Sequence, residues 1–173
     1  MKSRTKTVVL TVLIIMINVG CDQVTKDYAR KHFQHQGTLQ VVGDFVIITY
    51  AENDGAFLSM GSNMPKFLKA ALFTVLPLII LSGLLFYVLF IQNLSALQTV
   101  LLSSIIGGGV SNLYDRIAHN GFVTDFLNFG IGSLRTGIVN VADMSITFGC
   151  ILLILLHFLQ ERRKRKKIIT SEF

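Results

Sequence analysis

The sequence predicts an all-α membrane protein: four transmembrane helices, both chain ends cytoplasmic, and a small β-rich segment on the outer side. Apolar residue types make up 51% of the 173 residues and charged types only 15%, against roughly 25% charged in ordinary globular chains. Four stretches reach or approach the roughly 20 apolar residues that a helix needs to cross a bilayer core. Basic residues flank the first and last of these stretches, as cytoplasmic flanks do. The same composition excludes intrinsic disorder, which requires low hydrophobicity and high charge. Cys21 and Cys150, both inside apolar runs, are too few for a disulfide framework and read as small packing residues.

The first span is expected over about 7–26. Val8 to Cys21 is interrupted only by Thr11, Asn18 and Gly20, and Asp22 and Lys26 continue its helical register. Basic residues, an apolar run and Gly20-Cys21 imitate a lipoprotein signal peptide whose cleavage would remove residues 1–20. Three further spans follow, so the segment is read as a retained helix. An outer segment over about 38–57 alternates and is rich in β-branched residues, which predicts a few short strands. The second span is expected over about 68–91, where Ala70 to Ile91 carries no charge.

The third span is expected over about 94–115. Its Gly107-Gly108-Gly109 run reads as close helix packing, because a phosphate loop would continue into Gly-Lys-Ser/Thr. An outer loop carrying Asp125 follows. The fourth span, about 138–159, holds one charge, Asp143. Residues 1–160 thus form a single four-span unit, and 161–173 a basic cytoplasmic tail.

Charge sets the orientation. Lys2, Arg4 and Lys6 precede the first span, and Arg162-Arg163-Lys164-Arg165-Lys166-Lys167 follows the fourth, placing both ends in the cytoplasm. Lys26, Arg30, Lys31, Lys66 and Lys69 run against this and are outweighed by the agreement of the two ends. The net charge of +6 comes from that tail, which holds six of the 16 basic residues facing 10 acidic ones. A nucleic-acid binder would instead spread its basic residues over a folded face.

Ionisable groups at membrane depth cost roughly 2.5–3.5 kcal/mol each and so mark functional candidates. Asp22 and Lys26 lie four residues apart on one helical face. Asn112, Asp115 and Arg116 share another, and Asn140 and Asp143 a third. Asn53 and Asp125 lie in the outer segments. All these groups reach the same end of the molecule, which predicts a polar site between helices near the outer surface. His32, His35, His119 and His157 are scattered, and no Cys/His cluster suits zinc, so neither metal nor cofactor is expected. Carboxylates remain. Two held close together cannot both ionise cheaply, so one keeps a proton and the pair can act as general base and general acid on water.

On the residues alone, Asp115 and Asp125 are equal candidates to partner Asp143. Asp22–Lys26 reads first as a structural ion pair. Asp115–Arg116 is either an orienting pair or a helix-end anchor, and Asn140 either a site residue or a helix cap. A proton- or ion-coupled transporter lined by these acids is the alternative. Its site would lie near the midplane between broken helices, not at one boundary.

The motifs resemble those of the bacterial lipoprotein signal peptidase (signal peptidase II) family. Asp22-Gln23-Val24-Thr25-Lys26 is similar to D-Q-x-[ST]-K, Asn53-Asp54-Gly55-Ala56-Phe57 to N-x-G-A-[AF], and Gly107 through Arg116 to G-G-A-x-G-N-x-x-D-R. Val123-Thr124-Asp125-Phe126 resembles V-V-D-F, and Asn140-Val141-Ala142-Asp143-Met144 resembles N-x-A-D-S. The resemblance implies an aspartic endopeptidase of the bacterial inner membrane, its site facing the periplasm. It implies cleavage of diacylglyceryl-modified prolipoproteins before the lipidated cysteine, without a cofactor. It makes Asp125 and Asp143 the catalytic pair. Asp22, Lys26, Asn53, Gly55, Asn112, Arg116, Asn140 and Ala142 then support the site or contact substrate, and Asp115 orients its neighbours. Ser111, Thr124 and Met144 depart from the family pattern, which usually has glycine, valine and serine or threonine there.

Overall fold

A computed structural model describes residues 2–55, 61, 63–90 and 94–171, with side chains between 4 and 164. The chain is a multi-pass membrane protein. Helix α1 spans Lys2–Phe33, α2 Lys66–Phe90, α3 Ala96–Ala118 and α4 Val141–Ser171. All four are long and apolar enough to cross a bilayer. Helix α2 is continuous through one π-helical turn at Ala71–Val75. The first and last helices run well beyond the expected spans, α1 past Lys26 and α4 into the basic run. The expected turn at 92–96 falls partly outside the described residues, but Ser95 closes a reciprocal cap with Gln98 at the start of α3.

The helices are inside out relative to a water-soluble bundle. Met16, Ile79, Phe86, Phe148 and Phe158 lie exposed on the outer faces, while Lys26, Thr99, Asp22, Asp115, Ser103 and Ser111 are fully or nearly fully buried. That distribution suits a lipid surround, where polar groups must find partners inside the protein. Cys21 and Cys150 are exposed on helix surfaces. They are therefore not the interior packing residues that their apolar surroundings suggest.

Helix α3 is the hub, and its three glycines explain how. A Cβ at Gly107 would lie 2.7 Å from Asn18 Cβ of α1, one at Gly108 2.6 Å from the Ala142 carbonyl oxygen of α4, and one at Gly109 2.6 Å from Leu81 of α2. Consecutive helical positions point about 100° apart, so three successive missing side chains admit three different neighbours. Gly107 meets Asn18, and Ser111 further along α3 meets Asp22, so α1 and α3 run in the same direction. This brings the polar ends of both helices to one level.

An antiparallel sheet of four strands sits at that end, ordered β1 (Leu39–Val42), β2 (Val46–Asn53), β3 (Val123–Ile131) and β4 (Leu134–Arg135). The fold is thus mostly helical rather than all-α. The strands expected over 38–57 are β1 and β2, with Ala56 and Phe57 outside the described residues. The loop expected around Asp125 is instead strand β3, which pairs with β2 through Ala51↔Asp125 and Asn53↔Val123. Residues Val123 to Phe126 are buried without alternation, so no two-residue period betrays the strand. Asn120 (φ 54°) and Gly121 (φ 96°) make the turn from α3 into β3.

Candidate active site

Asp125 comes from β3 and Asp143 from the first turn of α4, and both line one cavity of about 70 Å³ with Asn53, Asn112, Arg116, Val123 and Ile138. Room of that size holds a few water molecules. Every carboxylate oxygen of the two aspartates receives an N–H. Asn112 Nδ2 donates to Asp143 Oδ1 at 2.8 Å, and the Asn140 main-chain N–H to Asp143 Oδ2 at 3.2 Å. Asn140 Nδ2 donates to Asp125 Oδ1 at 2.6 Å, and Asn53 Nδ2 to Asp125 Oδ2 at 3.0 Å. Burial, and then the neighbouring charge of Asp143, pushes the Asp125 carboxyl up to about 6.

The three asparagines are oriented by contacts on their other side. Asn140 Oδ1 accepts the Asp143 N–H at 2.9 Å, so Asn140 and Asp143 cap α4 reciprocally. Asn53 Oδ1 accepts the Gly55 N–H at 3.0 Å. Lys26 Nζ, which can only donate, lies 2.8 Å from Asn112 Oδ1 and turns the Asn112 amide N–H toward Asp143.

Behind the pair lies a buried ionic cluster. Lys26 bridges Asp22 at 2.6 Å and Asp115 at 2.9 Å, with all three side chains fully buried. Asp22 Oδ1 accepts the N–H of Ala142 at 2.8 Å, and Asp115 Oδ2 accepts the N–H of Thr124 at 3.3 Å. Each supporting carboxylate therefore holds the backbone of the residue just before one of the paired aspartates. Asp115 holds the backbone of Thr124 and is not among the residues that line the Asp125–Asp143 cavity. It pairs with Lys26 and Arg30, with His119 Nδ1 at 3.8 Å, and not with its sequence neighbour Arg116. Arg116 instead donates to the Gly55 carbonyl at 2.6 Å and to that of Gly121 at 3.0 Å.

Four residues that spacing did not single out complete the cluster. Arg30 donates to Asp115 at 3.1 Å and to the Thr124 hydroxyl at 2.9 Å. Gln23 donates to Asp115 at 3.0 Å and to the Ser111 hydroxyl at 2.9 Å, and Ser111 Oγ donates to Asp22 at 2.7 Å. Arg30 could have been found as the next i,i+4 step after Asp22 and Lys26. Two departures from the family pattern, Ser111 and Thr124, thus make specific polar contacts in this chain. Among the described residues no cluster of His, Cys, Asp and Glu suits a metal ion.

Four apolar helices with a polar, carboxylate-lined cavity at one end of their bundle define a membrane protein with a site at that end. The profile of the family described as Signal peptidase (SPase) II matches residues 14–159. The chain is 31% identical over 172 residues to the lipoprotein signal peptidase of Hydrogenovibrio crunogenus, covering 99% of this chain and 98% of that one. It is 30% identical over 157 residues to that of Syntrophus aciditrophicus, covering 88% and 96%. A solved structure described as a bacterial membrane enzyme, determined in meso at 2.3 Å, superposes with a TM-score of 0.78 at 28% identity, covering 89% of this chain and 90% of that one. The chain belongs to the signal peptidase II family, the lipoprotein signal peptidases.

Proposed function

We propose that Asp125 and Asp143 are the catalytic dyad of an endopeptidase that removes the signal peptide from diacylglyceryl-modified prolipoproteins before the lipidated cysteine. The observation that carries this reading is one cavity into which a strand delivers the buried Asp125 carboxylate and a helix the partly buried Asp143 carboxylate, with every carboxylate oxygen held by an amide. Asp125, whose proton is held up to about pH 6, is the acid, and Asp143 is the base. Asp143 takes a proton from water as the water oxygen attacks the scissile carbonyl carbon. Asp125 protonates the carbonyl oxygen, and collapse of the tetrahedral intermediate returns a proton to the leaving amine.

Asn112 and Asn140 keep the dyad in register. Arg116 and Asn53, on the cavity wall, face the substrate backbone, and Gly55 leaves room for its approach. Asp22, Lys26, Asp115 and Ala142 hold the framework. The substrate's signal helix lies among the spans, in a cytoplasmic membrane with both chain ends inside and the sheet and dyad on the outer side. Residues 1–160 work as one unit with the basic tail 161–173 at the inner face.

Incubating the purified protein with a diacylated prolipoprotein in detergent or vesicles tests the reading. Cleavage before the lipidated cysteine is expected, with loss of at least a thousandfold in both Asp125→Asn and Asp143→Asn. Full cleavage by both variants overturns it.

A further inference from the structure

We propose that a cationic cavity beyond Arg116 receives the first residues of the mature polypeptide and favours an acidic side chain just after the lipidated cysteine. This rests on the prolipoprotein-cleaving reading. The cavity measures about 630 Å³ and is lined by Asp54, Lys66, Lys69, Phe73, Arg116 and Phe122, among others. Arg116 is also a wall of the dyad cavity. Its two carbonyl contacts and the Phe73 ring, 5.5 Å from the guanidinium, hold it in place between the two spaces. Lys69 pairs with Asp54. Among the described residues Lys66 makes no ion pair, and it is exposed. Three cations against one carboxylate leave the cavity net positive.

The dyad cavity also shares Asp143 with a second space of about 310 Å³, walled by Phe129, Val139, Met144 and Phe148. The dyad cavity thus adjoins an apolar space through Asp143 and a cationic one through Arg116. A prolipoprotein divides in the same way around its cleaved bond. The signal helix and the acyl chains are apolar, and the only water-soluble part is the polypeptide after the cysteine. The cationic cavity therefore matches that polypeptide, and its exposed Lys66 matches an anionic side chain there.

The test uses two diacylated prolipoproteins that differ only in Asp or Asn at the residue after the cysteine, in zwitterionic vesicles at low salt. The Asp substrate is expected to show roughly three- to fivefold higher kcat/KM, through KM, as a partly exposed ion pair allows. High salt should shrink the ratio, Lys66→Gln should bring it to one, and Lys66→Arg should keep it. Equal kcat/KM for both substrates in the wild type, or an unchanged ratio in Lys66→Gln, overturns the proposal. So does stimulation of both substrates alike by phosphatidylglycerol that Lys66→Gln removes, since the cavity would then hold a lipid headgroup. A wild type that cuts neither substrate would instead overturn the cleavage reading itself.

Discussion

Asp22 accepts the main-chain N–H of Ala142 at 2.8 Å, so a side chain of the first helix holds the residue that precedes Asp143. Asp115 does the same for Thr124, which precedes Asp125, and Lys26 joins the two supporting carboxylates. The spacing of the dyad is thereby tied to one buried ammonium. Removing it in Lys26→Met leaves the buried Asp22 carboxylate without a cation and Asp115 with Arg30 alone, a change that costs about 3–5 kcal/mol. A markedly lower Tm in detergent is expected, together with lost cleavage. Asp22→Asn in the same chain removes the charge left without a cation and should recover part of the Tm without restoring activity. An unaltered Tm in Lys26→Met would show that the cluster does not hold the fold.

Ser111 gives a milder handle on the same framework. Its hydroxyl donates to Asp22 and accepts from Gln23, and hydrogen bonds to charged groups contribute about 1.5–3 kcal/mol. Ser111→Ala should lower stability by about that amount and reduce kcat several-fold with little change in KM, because nothing that lines the dyad cavity is removed. Thermal melting and steady-state cleavage read the two effects separately.

The dyad should impose a pH signature. Burial and the charge of Asp143 raise the Asp125 carboxyl from its ordinary 3.8 to about 6, so the folded protein holds this proton more tightly than the unfolded chain. The stability it contributes is fully present below about pH 3.8 and is lost as pH rises through about 6. Melting temperature should therefore decline across that window in the wild type and decline less in Asp125→Asn. In the wild type kcat/KM should fall about tenfold per pH unit above an alkaline limb near 6, as the acid loses its proton. A flat kcat/KM from pH 5 to 8 would remove Asp125 as the acid.

The spans and the polar faces were legible because helical periodicity and hydropathy act locally. Asp22–Lys26 and Asn140–Asp143 are helix neighbours, and spacing places each pair on one face. Strand β3 was not legible: it is buried without alternation, and its partner β2 lies far away in the chain. Arg30 and Gln23 were missed for a similar reason. Arg30 continues the i,i+4 face of Asp22 and Lys26, but its partners and those of Gln23 are on α3 and β3, which spacing along α1 does not identify. Spacing alone left Asp115 and Asp125 equal and only the family resemblance separated them, because which carboxylate lines the cavity and which grips a backbone N–H behind it depends on contacts between distant segments.

The glycines of α3 set how closely the dyad's supports approach each other. At Gly108 an added Cβ would sit 2.6 Å from the Ala142 carbonyl oxygen, which is backbone and cannot swing aside. Gly108→Ala must push α4 away from α3, and Asn112, one turn further along α3, then loses its reach to Asp143, now 2.8 Å. Overpacking of this kind costs about 1–3 kcal/mol, and a displacement near 1 Å at the reacting groups costs about a hundredfold in rate. Gly20→Ala is the control. No atom lies within 4 Å of the added Cβ there, and alanine favours the helix by up to about 1 kcal/mol. Gly108→Ala should melt lower and cleave far more slowly, while Gly20→Ala should melt no lower and cleave normally. Equal behaviour of the two variants in paired melting and cleavage assays would mean that the approach of α3 to α4 does not set the dyad geometry.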